Sequence, residues 1–198
     1  MLLDKLKNKR LILASHSPRR RDLLAGCGLP FTLADSYEVE EVYPPEMPSH
    51  EVPQYLAQLK SLAYPRPLAA DEILVTADTV VILDDRILGK PRDREMAVEM
   101  LSSLSDRRHT VVSGVVLRTA DRTEAFSVET GVWFRALTPE EIHYYVDTYQ
   151  PYDKAGAYGI QEWIGYAGIE RIDGSFYNVM GLPIQMLYVR LEELLGGR

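Results

Sequence analysis

Residues Ile73–Leu83 read I-L-V-T-A-D-T-V-V-I-L: two short apolar runs, Ile73–Ala77 and Val80–Leu83, separated by Asp78 and Thr79. Both runs are rich in Val and Ile, as buried strands are. A carboxylate among such neighbours is costly to bury unless it is paired, hydrogen-bonded or metal-bound. Asp78 is therefore read at a strand end, or at a bulge between strands, where site residues collect. A structural aspartate capping a turn is the plainer alternative, and Thr79 can be a simple β-former.

Outward from this stretch, Asp84-Asp85 separates Val80–Leu83 from Ile87-Leu88 and reads as the tight turn of a hairpin. Another short apolar run is Leu11–Ala14. His109–Thr119 and Thr123–Leu137, joined by A-D-R, form a longer hairpin candidate. Helices intervene. Val52, Tyr55, Leu56, Leu59 and Ala63 recur with helical period, as do Ala97, Met100, Leu101 and Leu104. Thr138, Pro139 and Glu141 make a capping box with proline at the first helical position. A last helix follows Pro183, carrying Met186, Leu187, Val189, Arg190 and Leu194. Hairpins and crossovers together predict a mixed α/β protein rather than a purely parallel doubly wound sheet.

The chain has 198 residues, 46% of them hydrophobic and 26% charged, which predicts one unit over 1–198 with a substantial core. No stretch approaches the roughly 18 apolar residues of a membrane helix, and the N-terminus lacks the pattern of a secretory signal, so a cytoplasmic protein with no membrane partner is expected. Cys27, the single cysteine, fits a reducing compartment and cannot form an intramolecular disulfide. A net charge of −7 argues against broad nucleic-acid binding. Any anion site must be local.

One such site is suggested by Ile12–Leu24, I-L-A-S-H-S-P-R-R-R-D-L-L. Ser17 and Pro18 start a helix that ends near Gly26 or Gly28, and cations in a first turn oppose the helix dipole. Three arginines there suit a bound phosphate, although a solvated basic surface stays open. Lys60 on the helix of Val52–Ala63 and Lys90 in L-G-K-P are ordinary surface lysines when taken alone. Y-E-V-E-E, with Glu38, Glu40 and Glu41, offers carboxylates to a hard cation or is simply surface. D-K-A-G-A-Y-G-I-Q, Asp153–Gln161, has the composition of a backbone making close turns, and Gln161 carries both a donor and an acceptor. The four histidines are scattered and read as structural.

Taken in order, A-S-x-S-P-R-R-x-x-L-L, A-D-T-V-V, G-K-P and D-K-A-G-A-Y-G-I-Q resemble the Maf family of nucleoside triphosphate pyrophosphatases, from about Leu11 to the last helix. The resemblance implies a two-lobed α/β fold, a long twisted mixed β-sheet with flanking helices around a cleft, similar to the inosine-triphosphate pyrophosphatase architecture. It also implies a cytoplasmic, often dimeric enzyme that hydrolyses a nucleoside triphosphate to the monophosphate and pyrophosphate with a divalent metal cation, Mg²⁺ or Mn²⁺. The motifs look like the dTTP/UTP branch rather than the sister branch acting on 7-methyl-GTP. By position, Asp78 matches the proton acceptor, while Arg19, Thr79 and Gln161 match positions linked to pyrimidine preference. Ser15, Glu40, Lys60, Lys90 and Lys154 match other polar positions of the cleft, with Glu40 and Asp78 expected to hold the metal. Two departures stand out: Thr76, and Glu162-Trp163 after Gln161, occupy places where glycine is common. The alternative in a different class is a nucleotide-binding regulator of cell division or septum formation with little turnover.

Overall fold

The computed structural model describes residues 1–196; Gly197 and Arg198 of the expected unit lie outside them. In chain order the elements are α1 (Leu2–Leu6), β1 (Arg10–Leu13), α2 (Pro18–Gly26), β2 (Thr32–Leu33), α3 (Val52–Leu62), β3 (Glu72–Leu83), β4 (Arg86–Leu88) and α4 (Arg94–Leu104). They continue with β5 (Arg108–Arg118), β6 (Thr123–Phe134), α5 (Pro139–Tyr149), α6 (Trp163–Ala167), β7 (Ile169–Asp173), α7 (Phe176–Met180) and α8 (Ile184–Gly196). The strands form one mixed sheet in the order β2-β1-β3-β5-β6-β7, with β4 also pairing β3. Only β1 pairs in parallel, with β2 and β3. The mixed α/β reading holds.

The stretch around Asp78 needs correction. It is not a strand end or a bulge but the interior of one continuous strand of 12 residues. Pairing with β5 runs without a register shift from Leu74–Arg118 to Ile82–Thr110, so the backbone stays extended through the polar pair. The break lies in the other edge. There β1 pairs β3 only as far as Val75, and β4 resumes at Val81. Thr76–Val80 thus has no strand beside it. Asp78 and Thr79, the only two residues of β3 that are not buried, sit in this gap.

Alternation along β3 assigns its two faces. On one, Ile73, Val75 and Ala77 enter a core with Leu24 of α2 and Leu187 and Leu191 of α8. Further along that face, Val81 and Leu83 enter a second core with Leu101, Tyr145 and Ile164. These cores form the two lobes, and Thr79 falls between them. On the opposite face Val80 and Ile82 pack on Val52 and Leu56 of α3. Asp78 therefore faces α3.

Several local expectations are met with small adjustments. Asp84 and Asp85 take φ values of 48° and 60°, the left-handed pair that a two-residue hairpin turn requires. Ala97, Met100, Leu101 and Leu104 are all buried on α4. The Thr138–Glu141 capping box is formed at α5. On α3 the stripe shifts, with Ala57 and Ser61 buried and Ala63 exposed, because that helix lies against β3 and β5 rather than one sheet edge.

Two contacts fix α3 at very short range. The Thr76 hydroxyl donates to the Ala57 carbonyl at 2.7 Å, which gives the residue standing in place of a glycine a structural use. On β5, a Cβ added to Gly114 would lie 2.2 Å from the Gln54 backbone nitrogen. We predict that Gly114→Ala pushes α3 off the sheet, costing about 1–3 kcal/mol or more because the obstacle is backbone. A urea melt measures it; unchanged stability would show that the helix is not seated on this glycine.

Candidate active site

The gap in the sheet edge opens into a cleft of about 840 Å³ at the carboxyl end of β1, the usual ligand position in open α/β sheets. Ser15, Arg19, Lys60, Asp78, Thr79, Lys90, Lys154 and Gln161 all line it. Glu40 does not line it and is exposed; Glu41 lines the cleft instead.

The arginine run is divided by helix geometry. Pro18 opens α2 at its first position, and Ser17 is the N-cap residue, although its hydroxyl makes no cap bond. Arg19 reaches across the cleft and donates to Asp153 Oδ2 at 2.8 Å. Arg20 turns inward. Its guanidinium donates to the Ala77 carbonyl at 2.8 Å, the Gly181 carbonyl at 2.7 Å, Ser15 Oγ at 3.2 Å and Thr79 Oγ1 at 3.2 Å. It thus supplies a donor where β3 lacks a neighbouring strand. Desolvation pulls its pKa below the usual arginine value, with the Asp78 charge opposing that fall. Arg21 is half-buried and makes no ion pair among the described residues.

Thr79 is held as tightly as Arg20. Its hydroxyl lies 2.7 Å from Ser113 Oγ and 3.2 Å from the Gly181 carbonyl, at the seam of the two lobes. On the other face, Lys60 Nζ lies 2.5 Å from Asp78 Oδ1 and 3.2 Å from Glu41 Oε2. Lys60 and Asp78 are 16% and 14% exposed, so this pair is largely shielded and both charges are matched. A lysine that reads as surface on its helix is thus drawn into the cleft by α3 packing over the sheet. Lys90 remains exposed and makes no ion pair among the described residues.

The far wall is the segment after α5. A 3₁₀ turn over Ala155–Ala157 follows Lys154, with Gly156 at φ 68° and so close to Val81 that a side chain would touch it at 3.0 Å. This confirms the close-turn reading. Lys154 is 8% exposed and bonds Asp153 Oδ1 at 2.8 Å and Glu162 Oε1 at 3.1 Å. Burial pushes the Asp153 pKa up, but bonds from Lys154 and Arg19 outweigh it and hold the carboxylate at about 2. The Gln161 side-chain amide oxygen, Oε1, is buried with no partner. Such an orphan costs about 1–3 kcal/mol unless a ligand satisfies it.

Behind this wall, His109 Nε2 lies 2.7 Å from the Tyr158 hydroxyl, and Tyr158 lines the cleft. The histidine is structural, as its sequence context suggests.

Two carboxylates, Asp78 and Glu41, converge on Lys60, and their oxygens suit a hard divalent cation. Among the described residues no group of three or more His, Cys, Asp or Glu makes a protein-only cage. The donor set fits a cation that takes further ligands from phosphate and water.

Residues 10–194 match the family described as Maf-like protein. The chain belongs to the Maf family. Among its relatives, a protein of Parabacteroides distasonis named dTTP/UTP pyrophosphatase is 52% identical over 96% of this chain and 99% of its own length. One of the same name in Bacteroides thetaiotaomicron is 50% identical over 98% of this chain and 100% of its own length. Among solved structures, a HAM1 protein from Coxiella burnetii covers 93% of the Maf chain, and 99% of that chain is covered, at 13% identity and a TM-score of 0.48. That likeness is too distant to bear on the site.

Of the arginine run, the sequence reading gives Arg19 to the nucleotide, makes Arg20 a candidate phosphate partner and leaves Arg21 in solvent; the structure instead ties Arg20 to four neutral acceptors of the protein. Asp153, in the cleft of this Maf protein, and Tyr145, behind it, were not singled out by sequence, since one is an acid beside a lysine and the other a core aromatic. Glu41 is one position from Glu40 in a segment without regular structure, where no periodicity says which side chain turns inward.

The buried histidine gives the site wall a pH dependence. Burial, and then the charge of Arg108, lowers the His109 pKa to about 3. Between that value and an unfolded value of about 6.5 the unfolded chain binds the extra proton, so stability falls as pH falls through this window. We predict that His109→Gln flattens this acid limb by at most about 1.4 kcal/mol per pH unit. Urea melts from pH 7.5 to 4 test it, and parallel curves for the two proteins would remove His109 from the account.

Proposed function

We propose that this chain is a nucleoside triphosphate pyrophosphatase that converts dTTP and UTP to the monophosphate and pyrophosphate, a house-cleaning hydrolase of the cytoplasm. The observation that carries the reading is the shielded Asp78–Lys60 contact at the floor of a cleft whose rim holds Arg19, Lys90 and Lys154. The names of the relatives at 50–52% identity support the same reaction and substrates.

A triphosphate brings several negative charges into this cleft. Arg19, Lys60, Lys90 and Lys154 neutralise part of them, and phosphate oxygens compete with Asp153, Glu41 and Asp78 for the same cations. Drawing Lys60 toward phosphate frees Asp78 to accept the proton of a water attacking the α-phosphorus. Asp78 and Glu41 would hold a divalent cation, Mg²⁺ or Mn²⁺, which would supply charge neutralisation at the α-phosphate and a more acidic water. The expected ligand Glu40 gives way to Glu41 because Glu41 is the one at Lys60. Ser15 and Thr79 act mainly by holding Arg20 in place. Uracil and thymine present an N3–H donor, which suits the unpaired Gln161 oxygen.

The test is pyrophosphate release across dTTP, UTP, dCTP and 7-methyl-GTP, with and without Mg²⁺ or Mn²⁺. We predict metal-dependent turnover of dTTP and UTP, and a loss of about 10²–10⁴-fold in Asp78→Asn, the range of a general base. Tight nucleotide binding without turnover in the wild-type protein would instead favour a regulator of cell division, and turnover of 7-methyl-GTP alone would reassign the substrate.

A further inference from the structure

Glu162, which departs from the family pattern beside Gln161, sits at the centre of a chain of polar contacts. The Gly159 N–H donates to the Tyr145 hydroxyl at 3.0 Å. That hydroxyl has one proton to give, and it gives it to Glu162 Oε2. The other carboxylate oxygen accepts from Lys154 Nζ at 3.1 Å, and Lys154 continues to Asp153 and so to Arg19. Glu162 is 18% exposed, and Lys154 and Tyr145 are buried. Each group along the chain is satisfied, so the network has one arrangement rather than several.

These side chains close around Gly159. A Cβ added there would lie 3.0 Å from Glu162 Cδ, 3.1 Å from Gln161 Nε2 and 3.1 Å from Lys154 Cε. The Gln161 amide thus rests against the same glycine whose N–H is tied to Tyr145. Within this packed group the buried side-chain polar atom with no partner is the Gln161 amide oxygen, and the amide nitrogen is set by its packing against Gly159 and not by a hydrogen bond. An acceptor held in place matches the N3–H of uracil or thymine and meets the unprotonated N3 of cytosine acceptor to acceptor. A loose amide turns its NH₂ to cytosine and loses the distinction.

We propose that Glu162, acting through Tyr145 and Lys154, is a positioning residue that locks the Gln161 segment and thereby sets the preference for thymine and uracil over cytosine. This rests on the pyrophosphatase reading above. In that reading Glu162 reaches the triphosphate site only through Lys154, which serves every nucleotide alike, so the dTTP-over-dCTP ratio is the readout that isolates its effect on Gln161.

The experiment measures kcat and KM for dTTP and dCTP in the wild-type protein and in Glu162→Gly, Glu162→Gln and Tyr145→Phe, together with dTMP binding by calorimetry. Expected are a KM for dTTP raised about tenfold in Glu162→Gly with a much smaller change in kcat, and a dTTP-over-dCTP ratio of kcat/KM lowered about tenfold, the size of one lost hydrogen bond. Glutamine, which keeps an acceptor for Tyr145, restores most of that ratio. Tyr145→Phe conserves volume and serves if the glycine variant does not fold; its ratio falls as well. A wild-type ratio and KM in either folded variant overturns the proposal. Wild-type protein that releases no pyrophosphate from dTTP and binds no dTMP overturns the pyrophosphatase reading itself, and this proposal with it.

Discussion

The cleft depends on an interruption in hydrogen bonding along one edge of β3. A strand interior without a neighbour leaves peptide groups to be satisfied by something other than a ladder. Here pairing with β1 stops at Val75, pairing with β4 begins at Val81, and Arg20 donates to the carbonyl of Ala77 between them. The chain thus keeps a straight, fully paired strand toward β5 while opening its other edge to a ligand. A bulge would have moved Asp78 as well. A gap leaves it rigid.

The same arrangement explains how an acidic protein maintains a cation-rich site. Net charge is −7, yet Arg19, Arg20, Lys60 and Lys154 converge because each has local partners: Asp153 for Arg19, four neutral acceptors for Arg20, Asp78 and Glu41 for Lys60, Asp153 and Glu162 for Lys154. These partners differ in how easily a phosphate can replace them. Asp153 is 56% exposed, so its bonds are screened and can be exchanged at modest cost. The four bonds of Arg20 are not of that kind, since breaking them leaves buried backbone carbonyls unpaired. Arg19 is thus suited to meet substrate, and Arg20 to hold the frame.

Binding therefore acts on contacts that already bridge the lobes. Arg19 comes from α2, whose leucines pack in the core with α8, whereas Asp153 follows α5, which packs in the other core. Thr79 and Ser113 lie at the seam, both bonded to the α7 segment through Gly181 and Asn178 carbonyls. The polar contacts occur where neither hydrophobic core reaches, which is why polar side chains can be kept there without disrupting packing.

Much of this was legible in the linear chain. Short Val- and Ile-rich runs, helical stripes, the Thr138–Glu141 capping box and the Asp84-Asp85 turn are local patterns, and periodicity or backbone preference determines them within a few residues. The resemblance to the Maf family carried by the ordered motifs implied that Asp78, Arg19 and Gln161 share a site, and all three line the cleft. Short elements such as α1, β2, α6, β7 and α7 escaped, since five residues or fewer carry too little periodicity to read. What only the tertiary structure decided is partnership: that Arg20 fills the strand gap, that Glu41 rather than Glu40 meets Lys60, and that Tyr145, Glu162 and Lys154 join in one polar network beside Gln161. Those choices depend on distances between segments far apart in the chain, set by how α2, α3 and α5 pack on the sheet, and no local pattern encodes them.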